Sequence, residues 1–105
     1  MRPGTAVTVP STVTISYNPT TDFFRGAVKA TRSGCEQKRS VNLFKVEPGA
    51  DIRRGGDMTG AGGRYGVSVP GANGRFYVRV ARKVVSGYNH KFVCESARSA
   101  AITVG

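Results

Sequence analysis

Tryptophan is missing from this chain, histidine occurs once, and acidic residues are scarce: six Asp and Glu stand against sixteen Lys and Arg. Each shortage closes off a kind of chemistry. A Ser-His-Asp relay would have to run through His90, which stands in the polar stretch Tyr88-Asn-His-Lys and reads as an exposed loop histidine. Cysteine is limited to Cys35 and Cys94, neither with a CxxC partner, so with His90 the soft-ligand set is too small for zinc. The carboxylates Asp22, Glu36, Glu47, Asp51, Asp57 and Glu95 mostly sit beside Lys or Arg or in turns, where they offset the positive field. Asp51 and Asp57 share a glycine-rich stretch but have Arg53 and Arg54 between them, short of the roughly six oxygens that calcium takes. Gly60-Ala-Gly-Gly63 lacks the G-K-[ST] ending of a phosphate loop and reads as a turn. The expectation is a chain that is no enzyme and carries no cofactor and no metal.

Long hydrophobic runs are also absent. No stretch approaches the roughly 18 apolar residues of a membrane-spanning helix. Met1-Arg2-Pro3-Gly4 has no apolar signal core, which leaves either a leader already removed or export by no such route. No window carries the i, i+3, i+4 pattern of an amphipathic helix over three turns.

What the chain does have is alternation. Val13, Ile15 and Tyr17 share one face of a β-branched run; Phe24, Gly26, Val28 and Ala30 share one face of the segment from Asp22 to Arg32. Val41 and Leu43 point inward from the stretch Arg39 to Val46, Tyr65, Val67 and Val69 from the next, and Phe76, Val78 and Val80 from the one after the Asn73-Gly74 turn. Phe92 and Cys94, then Ala101 to Val104, close the series. The segment from Ala50 to Gly63 is so rich in glycine that it predicts at most a short edge strand near Ile52. With Gly, Pro or Asn bounding each run, the pattern predicts an all-β sandwich or barrel of seven or so short strands, one domain over 11–105 with an extended arm over 1–10.

The cysteines leave two alternatives, two free thiols or one disulfide. Each lies at a corresponding place in a strand-like segment near opposite ends of the domain, and the expectation is a Cys35–Cys94 bridge in an oxidising compartment. Net charge is +10 with basic residues spread from Arg2 to Arg98, so the charge belongs to a folded surface rather than to a polybasic tail. If Phe76, Val78 and Val80 point inward, Arg75, Tyr77, Arg79 and, further along, Lys83 face solvent, and Val41 and Leu43 pointing inward leave Phe44 outside on its own strand. Aromatics interleaved with arginine suit a protein interface or a polyanion.

Phe24-Arg-Gly-Ala-Val28, Arg39-Ser-Val-Asn-Leu43-Phe, Asp57-Met-Thr59, Gly63-Arg-Tyr-Gly-Val67 and Gly74-Arg-Phe-Tyr-Val-Arg-Val80 follow an order that resembles the transthyretin-like sandwich domains related to the carboxypeptidase regulatory domain and the B-type repeats of bacterial surface adhesins. The resemblance covers about residues 22–82. It implies a Greek-key β-sandwich of the immunoglobulin or transthyretin kind, with the strands of Phe44 and Tyr77 in one sheet, and a module that spaces, presents or binds without a catalytic role. Three functions follow as expectations: a secreted or surface-displayed binding or assembly module whose partner is a protein or a second copy; a virion or extracellular filament protein joined through its N-terminal arm; and a basic domain for nucleic acid or acidic glycan.

Overall fold

The structure, a computed structural model, describes residues 5–87 and 90–105, with side chains for 7–86 and 91–105. The stretch Tyr88-Asn89, the His90 side chain and residues 1–4 of the arm lie outside the described residues. The strands are β1 (Thr5–Val9), β2 (Thr12–Val13), β3 (Ser16–Asn18), β4 (Phe23–Lys29), β5 (Ser40–Lys45), β6 (Ile52–Met58), β7 (Arg64–Ser68), β8 (Gly74–Val80), β9 (Lys83–Gly87), β10 (His90–Cys94), β11 (Ala97–Arg98) and β12 (Ile102–Val104).

Two antiparallel sheets form the body. In the first, β4 is flanked by β7 on one side and by β2 and β3, end to end, on the other. In the second, β6, β5 and β8 run side by side, and β11 and β12 share the far edge of β8. Counting each broken edge strand once, this makes seven strand positions in Greek-key order, because the chain changes sheet after β4, after β6 and after β7. The inward residues of the alternating runs meet between the sheets: Phe24, Val28, Tyr65 and Val67 from the first, Val41, Leu43, Phe76, Val78 and Val80 from the second. Phe24 and Phe76 pack tilted at 4.8 Å between ring centres, the middle of the core.

Both broken edges are repaired by a hydroxyl. Between β2 and β3, Thr14 Oγ1 accepts the Ala27 N–H at 3.0 Å, while the Thr14 N–H donates to the Ala27 carbonyl. Between β11 and β12, buried Ser99 accepts the Val78 N–H on Oγ at 3.0 Å and donates its own N–H to the Val78 carbonyl. A short polar side chain thus stands in for a ladder carbonyl at each bend.

Beyond the body lies a third sheet that the alternation does not predict. β10 pairs antiparallel with β9 and parallel with β1, so Thr5–Val9 is a strand laid along the chain's own later segment rather than a free lead-in. The molecule measures 55 × 30 × 16 Å, and its radius of gyration of 15.3 Å exceeds the roughly 13 Å of a compact chain this long. At the root of this ribbon Cys35 and Cys94 are joined by a disulfide, fully buried with Val9, and Ala30, Val85 and Phe92 pack around them.

Buried Arg39 holds the same junction. Its guanidinium spends all five donors: Nη1 on Ser11 Oγ and the Cys35 carbonyl, Nη2 on the Ala81 and Glu95 carbonyls, Nε on Ala81 again. Ser11 follows β1, Ala81 precedes β9 and Glu95 follows β10, so one side chain fixes three crossings between body and ribbon. No carboxylate faces it among the described residues, and burial lowers its affinity for the proton.

The glycine-rich segment corrects the expectation of a short edge strand. β6 runs for seven residues against β5, with a register shift between Leu43 and Phe44. A Cβ on Gly55 would come 2.7 Å from the Val67 side chain, so the glycines allow this strand to pass close over its neighbours.

Candidate functional site

On the outer face of the second sheet, β5 and β8 align Phe44 with Tyr77 and Asn42 with Arg79, while β11 aligns Arg98 with Arg79 and β6 aligns Arg53 with Phe44. The inward alternation of β5 and β8 dictates this: whatever is not in the core is on this face. Phe44 and Tyr77 do lie together, stacked 5.5 Å apart with planes 19° from parallel.

Tyr77 is nevertheless not a solvent-facing platform. The Arg98 guanidinium lies 4.0 Å from its ring centre, and only 5% of its surface is exposed. The Tyr77 hydroxyl donates to Asp51 Oδ2 at 2.6 Å, and the Glu47 N–H donates to Asp51 Oδ1 at 3.2 Å. These bonds hold the Asp51 carboxyl below its ordinary range and push the Tyr77 phenol above its own. The tyrosine is the mast to which Arg98 is tied; its stacking surface is taken.

Arg53 is fixed as well. Its Nε donates to Asn42 Oδ1 at 2.7 Å, and Nη2 lies where a Cβ on Gly56 would come within 2.7 Å. Arg79 is exposed between Asn42 and Arg98, and Arg82 and Ser96 border a shallow concavity of about 310 Å³ with Asn42, Phe44 and Arg79. Arg79, Ser96 and Arg98 line a second hollow beside it. No acidic side chain lines either one.

Of the other sequence-predicted face residues, Arg75 is exposed on β8 on the far side of Tyr77 from Arg79. Lys83 is not on this face. It starts β9, and its Nζ donates to the Gly34 and Gln37 carbonyls at 3.0 Å each, capping the turn that carries Cys35. Two residues of spacing after β8 are enough for the chain to leave the sheet.

The acidic residues do not offset the arginines in the way their sequence neighbours suggest. Tyr17 donates to Asp22, the Ala30 N–H to Glu36, Tyr77 to Asp51, and the Gly66 N–H to Asp57. Among the described residues the single ion pair is Lys45–Glu47, at 3.8 Å. Arg53, Arg79, Arg82 and Arg98 therefore share one face with no ion pair among the described residues, although the Arg98 charge reaches the Asp51 carboxyl. Arg53, Arg82 and Arg98 escape a reading of strand periodicity, because their places depend on a glycine-rich strand, a connection and a two-residue edge strand. The signal in the sequence was the charge imbalance, without its address.

No protein-family model, curated protein or solved structure matches the chain.

Proposed function

We propose that this chain is a non-enzymatic β-sandwich module that works outside the cytoplasm, secreted or displayed on a surface, and binds its ligand through the outer face of the second sheet. The observation that carries this reading is the Cys35–Cys94 bridge. It spans 59 positions, is fully buried, and locks the ribbon to the body at the place where Arg39 gathers the chain crossings. Bridges of this kind persist where the surroundings are oxidising. The resemblance to transthyretin-like and adhesin-repeat domains agrees with a binding role.

The exposed face favours an anionic ligand over an apolar protein contact. Phe44 and Tyr77 are engaged with each other, so the face offers guanidinium ions rather than open aromatic anchors to a partner. The arm-joined filament is the weaker alternative, because β1 already spends one edge on the chain's own β10.

The test is intact-mass analysis of protein from its natural source, fractionated by compartment and alkylated before and after reduction. The expected result is an extracytoplasmic chain that takes up alkyl groups only after reduction. A cytoplasmic chain with two free thiols would overturn the proposal.

A further inference from the structure

Arg79 and Arg98 are cross-strand neighbours on adjacent strands, directly opposite in register. Like charges so placed repel, and sheets ordinarily avoid the arrangement or set a carboxylate beside it. Here neither forms an ion pair among the described residues, and Arg53 and Arg82 add to the same field. The Asp51 carboxyl feels the Arg98 charge but takes its hydrogen bonds from the Tyr77 hydroxyl and the Glu47 N–H.

The cluster is also held in position. Arg98 is immobilised on Tyr77, and Arg53 is tethered through Nε to Asn42, which leaves its outer nitrogens for another acceptor. A guanidinium fixed by its ring contact or its Nε loses little freedom when it meets an oxyanion, and its planar fork matches carboxylate, sulfate or phosphate oxygens in pairs. The hollows at Asn42, Arg82 and Ser96 add an amide and a hydroxyl, groups that suit the neutral hydroxyls of a sugar.

From this arrangement we infer that the Arg53–Arg79–Arg98 row, with Arg82 and Ser96, is a binding site for an acidic glycan, a chain carrying sulfate or carboxylate groups. The inference rests on the extracytoplasmic reading above, which places such glycans within reach. Single-stranded nucleic acid fits the face less well, since its bases need open aromatic surfaces to stack on and both sides of the Tyr77 ring are occupied. A sulfated oligosaccharide lies across the sheet, its anionic groups on Arg79 and Arg98 and its hydroxyls toward Asn42 and Ser96.

The experiment is calorimetric or fluorescence titration with heparin oligosaccharide, polygalacturonate, neutral dextran and single-stranded DNA of matched charge, at low and at physiological salt. Three proteins are compared: the natural chain, Arg79→Ser/Arg98→Ser, and a control, Arg25→Ser/Arg64→Ser, which removes the same charge from a hollow on the outer face of the first sheet. A fourth, Arg79→Ser/Arg82→Ser, leaves the Tyr77–Arg98 contact intact. The site predicts binding of at least one acidic glycan, none of dextran, weakening with salt, and a loss of about tenfold or more in both Arg79 variants but not in the control. An equal loss in the control would reduce the effect to net charge and overturn the site. Tighter binding of DNA would overturn the glycan assignment. Absence of binding to either acidic glycan, with the disulfide and compartment as predicted, would overturn this site while leaving the binding-module reading in place.

Discussion

At Gly26 the space for a side chain is already taken. A Cβ there would collide with the Thr14 carbonyl and come 2.8 Å from the Tyr65 ring, which lies across the glycine from the paired position on β7 and delivers its hydroxyl to that same carbonyl at 2.7 Å. Gly26→Ala must displace backbone, and it is expected to cost about 3 kcal/mol in urea unfolding. Tyr65→Phe keeps the ring but strands a carbonyl, for about 1–2 kcal/mol; equal stability would show that the hydroxyl does not brace the bend. Asp51 gives a pH signature. Its carboxyl is held below the ordinary 3.8, so the stabilisation it brings is complete above that value and fades as pH falls through the lowered one. The melting temperature of Asp51→Asn should lie below that of the natural chain at neutral pH, with the gap closing in acid.

At the scale of elements, the sheets' edges and the ribbon's root hang on polar side chains rather than on hydrophobic area. Ser99→Ala leaves the buried Val78 N–H without its acceptor and should cost about 1–3 kcal/mol, read by denaturant unfolding. Arg39→Lys preserves the charge but cannot reach four acceptors from one planar group, and a loss of about 3 kcal/mol or more is expected. Hydrogen exchange should show the loss first in β9 and β10, whose ends it holds. These devices also mark where the sequence stops being legible. Strict alternation is enough to place β4, β5, β7 and β8 and to turn Phe44 and Tyr77 outward, because period two fixes both faces of a strand at once. Alternation does not give the meeting of the two rings, which depends on the pairing of β5 with β8. It is silent on β6, where glycines carry no pattern, and on β9, where Val84 and Val85 are adjacent. Nor does it reveal Arg39, since a buried guanidinium paired only with carbonyls looks like any other basic residue until distant segments are brought together.

Taken whole, the molecule is a thin sandwich extended by a ribbon, with a disulfide at the joint and few ion pairs among the described residues to offset its positive charge. Removing the bridge with Cys35→Ala/Cys94→Ala should lower stability by about 3–5 kcal/mol in the chain-entropy view, measured by thermal or urea unfolding. The arginine face is the binding site we propose for this architecture, and its location can be read residue by residue. Backbone amide shifts recorded by nuclear magnetic resonance during titration with a sulfated oligosaccharide should change at Asn42, Arg53, Arg79, Ser96 and Arg98 and stay still on the outer face of the first sheet. Changes centred on Arg25 and Arg64, or spread evenly over both faces, would contradict the account.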